Sequence, residues 1–258
     1  MKKFKFVISF IMMLSLVLPY FVFAENDIPK APTISAVSAI LIDGETGTVL
    51  YSKKANKEMY PASTTKIISY LVISDAIDEG EIALDDMLVF TREMQDSLDP
   101  GGSHIELKAG EQMSTENLIR AMLIASGNDA ATLLAQATAG SEKKFVERMN
   151  KKADELGLDH SHFTNAHGLT DENHYTTAAD LAKAARFAMQ DDMFREIVGS
   201  KTLTIAPTNK TETERYYINT NNLISPLRYS KYYYSKATGI KTGYTDVAGS
   251  CLVASAKE

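Results

Sequence analysis

Residues 60–80 read YPASTTKIISYLVISDAIDEG. Pro61 opens the stretch, Gly80 closes it, and Ile67, Ile68, Leu71, Val72 and Ala76 recur between them, so Ser63 to Glu79 is predicted to be a largely buried helix. Its first turn holds Ser63 and Lys66, three apart and therefore on one face of the helix. A serine hydroxyl is a weak nucleophile until a neighbour takes its proton, and a lysine held neutral can be that neighbour. Taken alone, the pattern reads more readily as a helix cap and a solvated lysine.

Working outward, Val37–Ile42 and Thr48–Ser52 are β-rich runs on either side of a Gly-containing loop, the pattern of a hairpin. Ser114, with Glu116 behind it, caps a helix that runs through Leu118, Met122 and Leu123 towards Ala125. Ser126, Gly127 and Asn128 interrupt it, and a further helix resumes through Leu133 and Leu134. Ser141–Leu156 and Thr177–Gln190 are two more helices, the latter with a capping-box-like start at Thr177 and Asp180. Short β-like runs return at Lys201–Ala206, Tyr216–Asn219, Ala237–Thr242 and Gly249–Ala256. Strands at both ends with helices between them predict an α+β fold: an antiparallel sheet built from both chain ends, covered by a central helical region.

The 258 residues are 45% hydrophobic and 23% charged, enough to bury a sizeable core and unlike a disordered or disulfide-dense chain. The balance of 27 basic against 33 acidic residues, net −6, leaves no broad cationic face for nucleic acid. The lone cysteine, Cys251, reads as a buried small hydrophobe. Residues 1–24 read as a signal peptide: Lys2, Lys3 and Lys5, an apolar run broken by Pro19, and small residues Val22 and Ala24 before Glu25. A permanent anchor is the weaker reading, because the run is barely long enough to span a bilayer. Export would remove three lysines and take the charge from −6 to −9. Residues 25–35, with Pro29 and Pro32, read as a tether, and 36–258 as the catalytic domain.

Two further motifs add to the first. Ser126-Gly127-Asn128 sits at a helix interruption, which can aim side chains into a cleft or simply turn a corner. Lys241-Thr242-Gly243 lies on a late strand, where Gly243 leaves space for a second backbone to approach and the strand edge can accept an extended peptide.

SxxK, SxN and KTG in that order resemble the active-site serine penicillin-recognising enzymes, the superfamily of penicillin-binding proteins and serine β-lactamases. Within it the chain is most similar to the low-molecular-mass D-alanyl-D-alanine carboxypeptidases. The stretches Tyr60–Lys66, Ala121–Asp129, Asn165–Leu169 with His174–Thr177, Asn219–Leu223 and Gly239–Asp246 carry the likeness, from Val37 to the end. The resemblance implies a β-lactamase-like fold and a carboxypeptidase acting on peptidoglycan stem peptides ending in D-Ala-D-Ala, inhibited covalently by β-lactams and needing no cofactor or metal. It implies Ser63 as nucleophile, Lys66 as base and Ser126 as proton relay. Asn128, Lys241, Thr242 and Gly243 would bind substrate, and the backbone amides of Ser63 and Tyr244 would form the oxyanion hole. A charged Lys241 about 4 Å from Lys66 would cost on the order of 4 kcal/mol at an effective dielectric of 20, lowering Lys66 by about three pKa units.

Members of this group continue with a further sheet strand, a small β-rich domain and a membrane anchor, so the chain reads as truncated at its C-terminal end, with membrane association possible only through the missing anchor. Other readings compete. A β-lactamase would use the same acylation parts, but no glutamate between Asp129 and Ile240 has Asn four residues on. A D-Ala-D-Ala endopeptidase or a non-catalytic penicillin-binding sensor could share the fold. His160, His162, His167 and His174 could bind zinc, although HExxH is absent. Tyr229, Tyr232, Tyr233 and Tyr234 read as packing side chains, with a sugar-stacking platform as the alternative.

Overall fold

The computed structural model describes residues 30–257. The chain divides into two units at Ser35–Ala36. Of the first, residues 30–35 carry neither helix nor strand, and the expected signal peptide lies outside the described residues.

The second unit begins with the expected hairpin, β1 (Ala39–Ile42) against β2 (Val49–Lys53). Its loop is fixed by the Asp43 carboxylate, which accepts the amide and hydroxyl of Thr46, each at 2.7 Å. A 3₁₀ turn, Ala62–Thr65, leads into α1 (Lys66–Asp78), which Gly80 follows at φ +73°. Every residue of α1 from Lys66 to Ile73 is buried, and exposure begins only in its last turn and a half, as befits a helix enclosed over most of its length.

The middle of the chain is helical. After β3 (Met87–Val89), α2 (Arg92–Ser97) and β4 (Gln112–Ser114) come α3 (Thr115–Arg120), α4 (Asn128–Ala139), α5 (Glu142–Glu155), α6 (Ala178–Ala188) and α7 (Asp192–Gly199). The caps read from sequence at Ser114 and Thr177 are in place, and Ser141 caps α5 in the same way, each accepting an amide three residues on. Helices α4, α5 and α6 pack around α1. Asp191 joins α7 to it by capping α7 with one carboxylate oxygen while the other accepts the Tyr70 hydroxyl at 2.5 Å and that of Ser74 at 3.1 Å. The chain then forms β5 (Thr202–Ile205), β6 (Arg215–Ile218), a short helix α8 (Pro226–Tyr229), β7 (Ala237–Thr245) and β8 (Gly249–Ala256).

The α+β architecture with a central helical region is therefore present, but the single sheet expected from both chain ends is not. Strand β1 pairs with β2 and β7 with β8, all antiparallel, and no ladder joins the two hairpins among the described residues. A shared ladder needs backbones about 4.8 Å apart. Helix α6 lies against both β1 and β8. Two smaller hairpins, β3–β4 and β5–β6, complete the strands. No described helix is long and apolar enough to cross a membrane.

Candidate active site

The 3₁₀ turn carrying Ser63 precedes α1, so Lys66 is the helix's first residue and its side chain runs back over Ser63. Lys66 Nζ lies 3.0 Å from Ser63 Oγ, 2.7 Å from Asn128 Oδ1 and 2.9 Å from the His167 carbonyl. Ser63 is half-buried, whereas Lys66 is fully enclosed. Burial holds the Lys66 amine well below its ordinary 10.5, the Lys241 cation lowers it further, and the Asp129 carboxylate partly opposes both. The order of causes corrects the expectation from sequence, which assigned the whole effect to Lys241. Lys241 is itself fully buried and lowered to about 7, so it is not a fixed charge.

Helix α3 widens into one π turn, Ala121–Ala125, and ends at Ser126 in the left-handed conformation, φ +64°. This break turns the Ser126 hydroxyl to 3.0 Å from Lys241 Nζ, which also donates to the Thr242 carbonyl at 2.9 Å. Asn128 opens α4, with Oδ1 taken by Lys66 and Nδ2 against Gly102. Behind it the buried Asp129 carboxylate accepts the amides of Ile105, Leu107 and Ala130 at 2.9–3.1 Å and pins the segment 103–107 beside the SxN turn.

Strand β7 brings Lys241, Thr242 and Gly243 to the same place. Thr242 Oγ1 donates to Thr220 Oγ1 at 2.8 Å. A Cβ on Gly243 would stand 2.9 Å from the Ser63 nitrogen and 3.0 Å from the Pro61 carbonyl. The backbone for which Gly243 makes room is thus the chain's own turn carrying Ser63, and the next residue, Tyr244, is 66% exposed. The residues singled out from the three motifs come together in one place. Cys251, opposite Gly243 on β8, is half-buried rather than buried, its Sγ 3.6 Å from the Tyr60 carbonyl.

The loop 160–176 supplies contacts that the motifs did not reveal. His174 Nδ1 accepts the Thr164 amide at 3.0 Å, so the ring proton sits on Nε2 and is donated to Thr65 Oγ1 at 2.8 Å. Thr65 Oγ1 in turn donates to the Ala62 carbonyl at 2.8 Å. Ala62, immediately before Ser63, is held at φ +49°. Gly168 packs against that same carbonyl: a Cβ there would lie 1.9 Å from Ala62 O. One signal was readable, since Asn165 Oδ1 accepts the Gly168 amide at 2.7 Å, the turn-forming habit of Asn three residues before Gly. The Ala62 conformation has no signature in sequence. The four histidines are spent in different places, and no three metal-ligating side chains converge among the described residues.

Burial lowers His174 to about 4, against the opposing Asp171 and with help from His162. An unfolded histidine, near 6.5, takes up a proton that the folded one refuses, so this group removes stability as pH falls from about 6.5 to 4. The loss amounts to about 3 kcal/mol. His174→Gln should flatten the urea-unfolding stability across that window relative to the native chain; parallel curves would contradict the assignment.

Residues 25–258 match the sequence profile of a family described as D-alanyl-D-alanine carboxypeptidase. The chain is 39% identical over 238 residues to D-alanyl-D-alanine carboxypeptidase DacF of Bacillus subtilis, covering 92% of this chain and 58% of that protein. It is 33% identical over 242 residues to DacD of Escherichia coli, covering 91% and 59%. The chain thus spans a little over half the length of these curated relatives. Among solved structures, the Streptomyces K15 DD-transpeptidase superposes with a TM-score of 0.80 at 32% identity, covering 89% of this chain and 88% of that one.

Proposed function

The chain belongs to the D-alanyl-D-alanine carboxypeptidase family, and from that premise we propose that it is a serine-type carboxypeptidase that removes the terminal D-alanine from peptidoglycan stem peptides. The observation that carries the reading is the enclosed Lys66 amine 3.0 Å from Ser63 Oγ, held well below its ordinary value by burial and by Lys241. Ser63 Oγ attacks the carbonyl between the two terminal D-alanines while Lys66 takes its proton. Negative charge develops on the carbonyl oxygen within reach of the Ser63 and Tyr244 amides. The intermediate collapses as the C–N bond breaks, with Ser126 passing a proton to the departing amine, and D-alanine leaves. Water then hydrolyses the Ser63 ester and frees the shortened peptide.

Protonated Lys241 and the Thr242 hydroxyl hold the terminal carboxylate, which restricts the enzyme to free C-termini. Asn128 offers Nδ2 to the substrate amide while its oxygen holds Lys66. Gly243 lets the β7 edge, along which the peptide lies, approach the nucleophile. A β-lactam enters by the same acylation. The enzyme acts outside the cytoplasm, on the wall side of the membrane.

Intact-mass measurement with peptide mapping after incubation with benzylpenicillin tests the reading. One stable penicilloyl group on Ser63 is expected. An unmodified folded chain, or modification at another residue, would overturn it.

A further inference from the structure

The segment between β6 and β7 carries a surface that this chemistry leaves unused. No acidic residue occurs from Arg215 to Thr245, while Arg228, Lys231 and Lys236 cluster there in a chain of net charge −6. Among these cations Tyr229, Tyr232, Tyr233 and Tyr234 are 58, 51, 40 and 48% exposed, which corrects their reading as packing residues. Lys231 Nζ lies 4.7 Å from the Tyr232 ring centroid and Lys201 Nζ 5.8 Å from that of Tyr233. The Tyr229 and Tyr232 rings meet edge to face at 6.4 Å. None of the four phenol hydroxyls has a hydrogen-bond partner among the described residues.

Exposed rings interleaved with cations select their ligand by chemistry. A tyrosine offers a rigid apolar face and a polar rim at low entropic cost. A pyranose ring is its complement, with an apolar C–H face and hydroxyls at the edge. Acyl chains would be better met by Phe or Trp, and neither occurs after Phe194. The cations suit carboxylates, which they engage through charge-assisted hydrogen bonds. The patch also feeds directly into the proposed peptide-binding strand: the Ala237 amide donates to the Tyr234 carbonyl at 2.9 Å. Four residues of extended chain, about 13 Å, separate Ala237 from Lys241.

We propose that Tyr229, Tyr232, Tyr233 and Tyr234, with Arg228, Lys231 and Lys201, form a platform for the glycan–peptide polymer of the cell wall, sugar rings on the tyrosines and free carboxylates on the cations. The platform holds the polymer while one of its stem peptides occupies the cleft, and in this it rests on the carboxypeptidase reading above.

Co-sedimentation of the full chain with purified peptidoglycan sacculi tests it, with benzylpenicillin labelling of Ser63 measured on the same preparations. Y229S/Y232S removes two half-exposed rings that meet each other at the surface, and R228E/K231E reverses two charges of the same segment. Each is expected to weaken sedimentation about tenfold or more and to leave the labelling rate unchanged. Native-like sedimentation of both variants would overturn the platform. So would a defect seen with phosphatidylglycerol vesicles but not with sacculi, which would assign the patch to a membrane surface. Absent labelling in the native chain alongside normal sedimentation would instead strike the carboxypeptidase reading and leave the platform standing.

Discussion

Lys66→Met is expected to lower the rate of acylation by benzylpenicillin about a thousandfold, the scale of a lost general base, in a chain that stays folded. The side chain is wholly enclosed and Met has nearly its volume, so packing survives. What disappears is the amine 3.0 Å from Ser63 Oγ and its hydrogen bonds to Asn128 and the His167 carbonyl. The native enzyme should show the matching pH dependence. A base acts in its neutral form, so acylation rises with pH through the depressed Lys66 value, well below 10.5. Lys241 must be charged to hold a carboxylate, so loss of its proton as pH rises through its value of about 7 opposes that rise. The two opposing trends belong to the lysine pair jointly. Stopped-flow acylation between pH 5 and 10 checks it, and a rate that climbs only above pH 9 would refute Lys66 as base.

Gly168→Ala should be the most damaging single methyl group in the catalytic unit. The residue sits at φ +91°, and the added Cβ would lie 1.9 Å from the Ala62 carbonyl oxygen, backbone that cannot swing aside. Conformational strain and overpacking together are expected to cost about 3–5 kcal/mol. The carbonyl that must move belongs to the residue before Ser63, so acylation should fall about a hundredfold in whatever protein remains folded. Gly140→Ala is the control, with φ +75° and open space around it, and it should cost only about 1 kcal/mol. Urea unfolding of the two variants compares them. Equal losses would mean that the contact with Ala62 is not what makes Gly168 necessary.

The contrast between these residues explains how far the sequence could be read. Ser63, Lys66, Ser126, Asn128, Lys241, Thr242 and Gly243 were legible because their chemistry constrains local spacing: a one-turn offset, a helix break, a glycine in a strand. The starts of α3, α5 and α6 were legible because a cap residue and its amide are neighbours in the chain. Ala62 was not, since alanine does not ordinarily announce a left-handed residue, and its conformation is imposed by Thr65, His174 and Gly168 across about a hundred positions. The single sheet failed for a similar reason. Alternating residues say that a strand exists but not which strand it pairs with, and β1 and β8 meet a common helix instead of each other. Aromatic residues beside strands suggested packing, and only solvent exposure separates a platform from a core.

The Asp129 carboxylate has an implication for how the cleft can diversify. It fastens the segment 103–107 through main-chain amides alone, while Ile105 and Leu107 plug into the core and Ser103, Glu106 and Lys108 face outward. Fasteners and display positions therefore alternate along one short stretch. Such a wall behaves as an interchangeable cassette: its outward side chains can be rewritten, while the socket that registers it beside Ser126 and Asn128 stays the same.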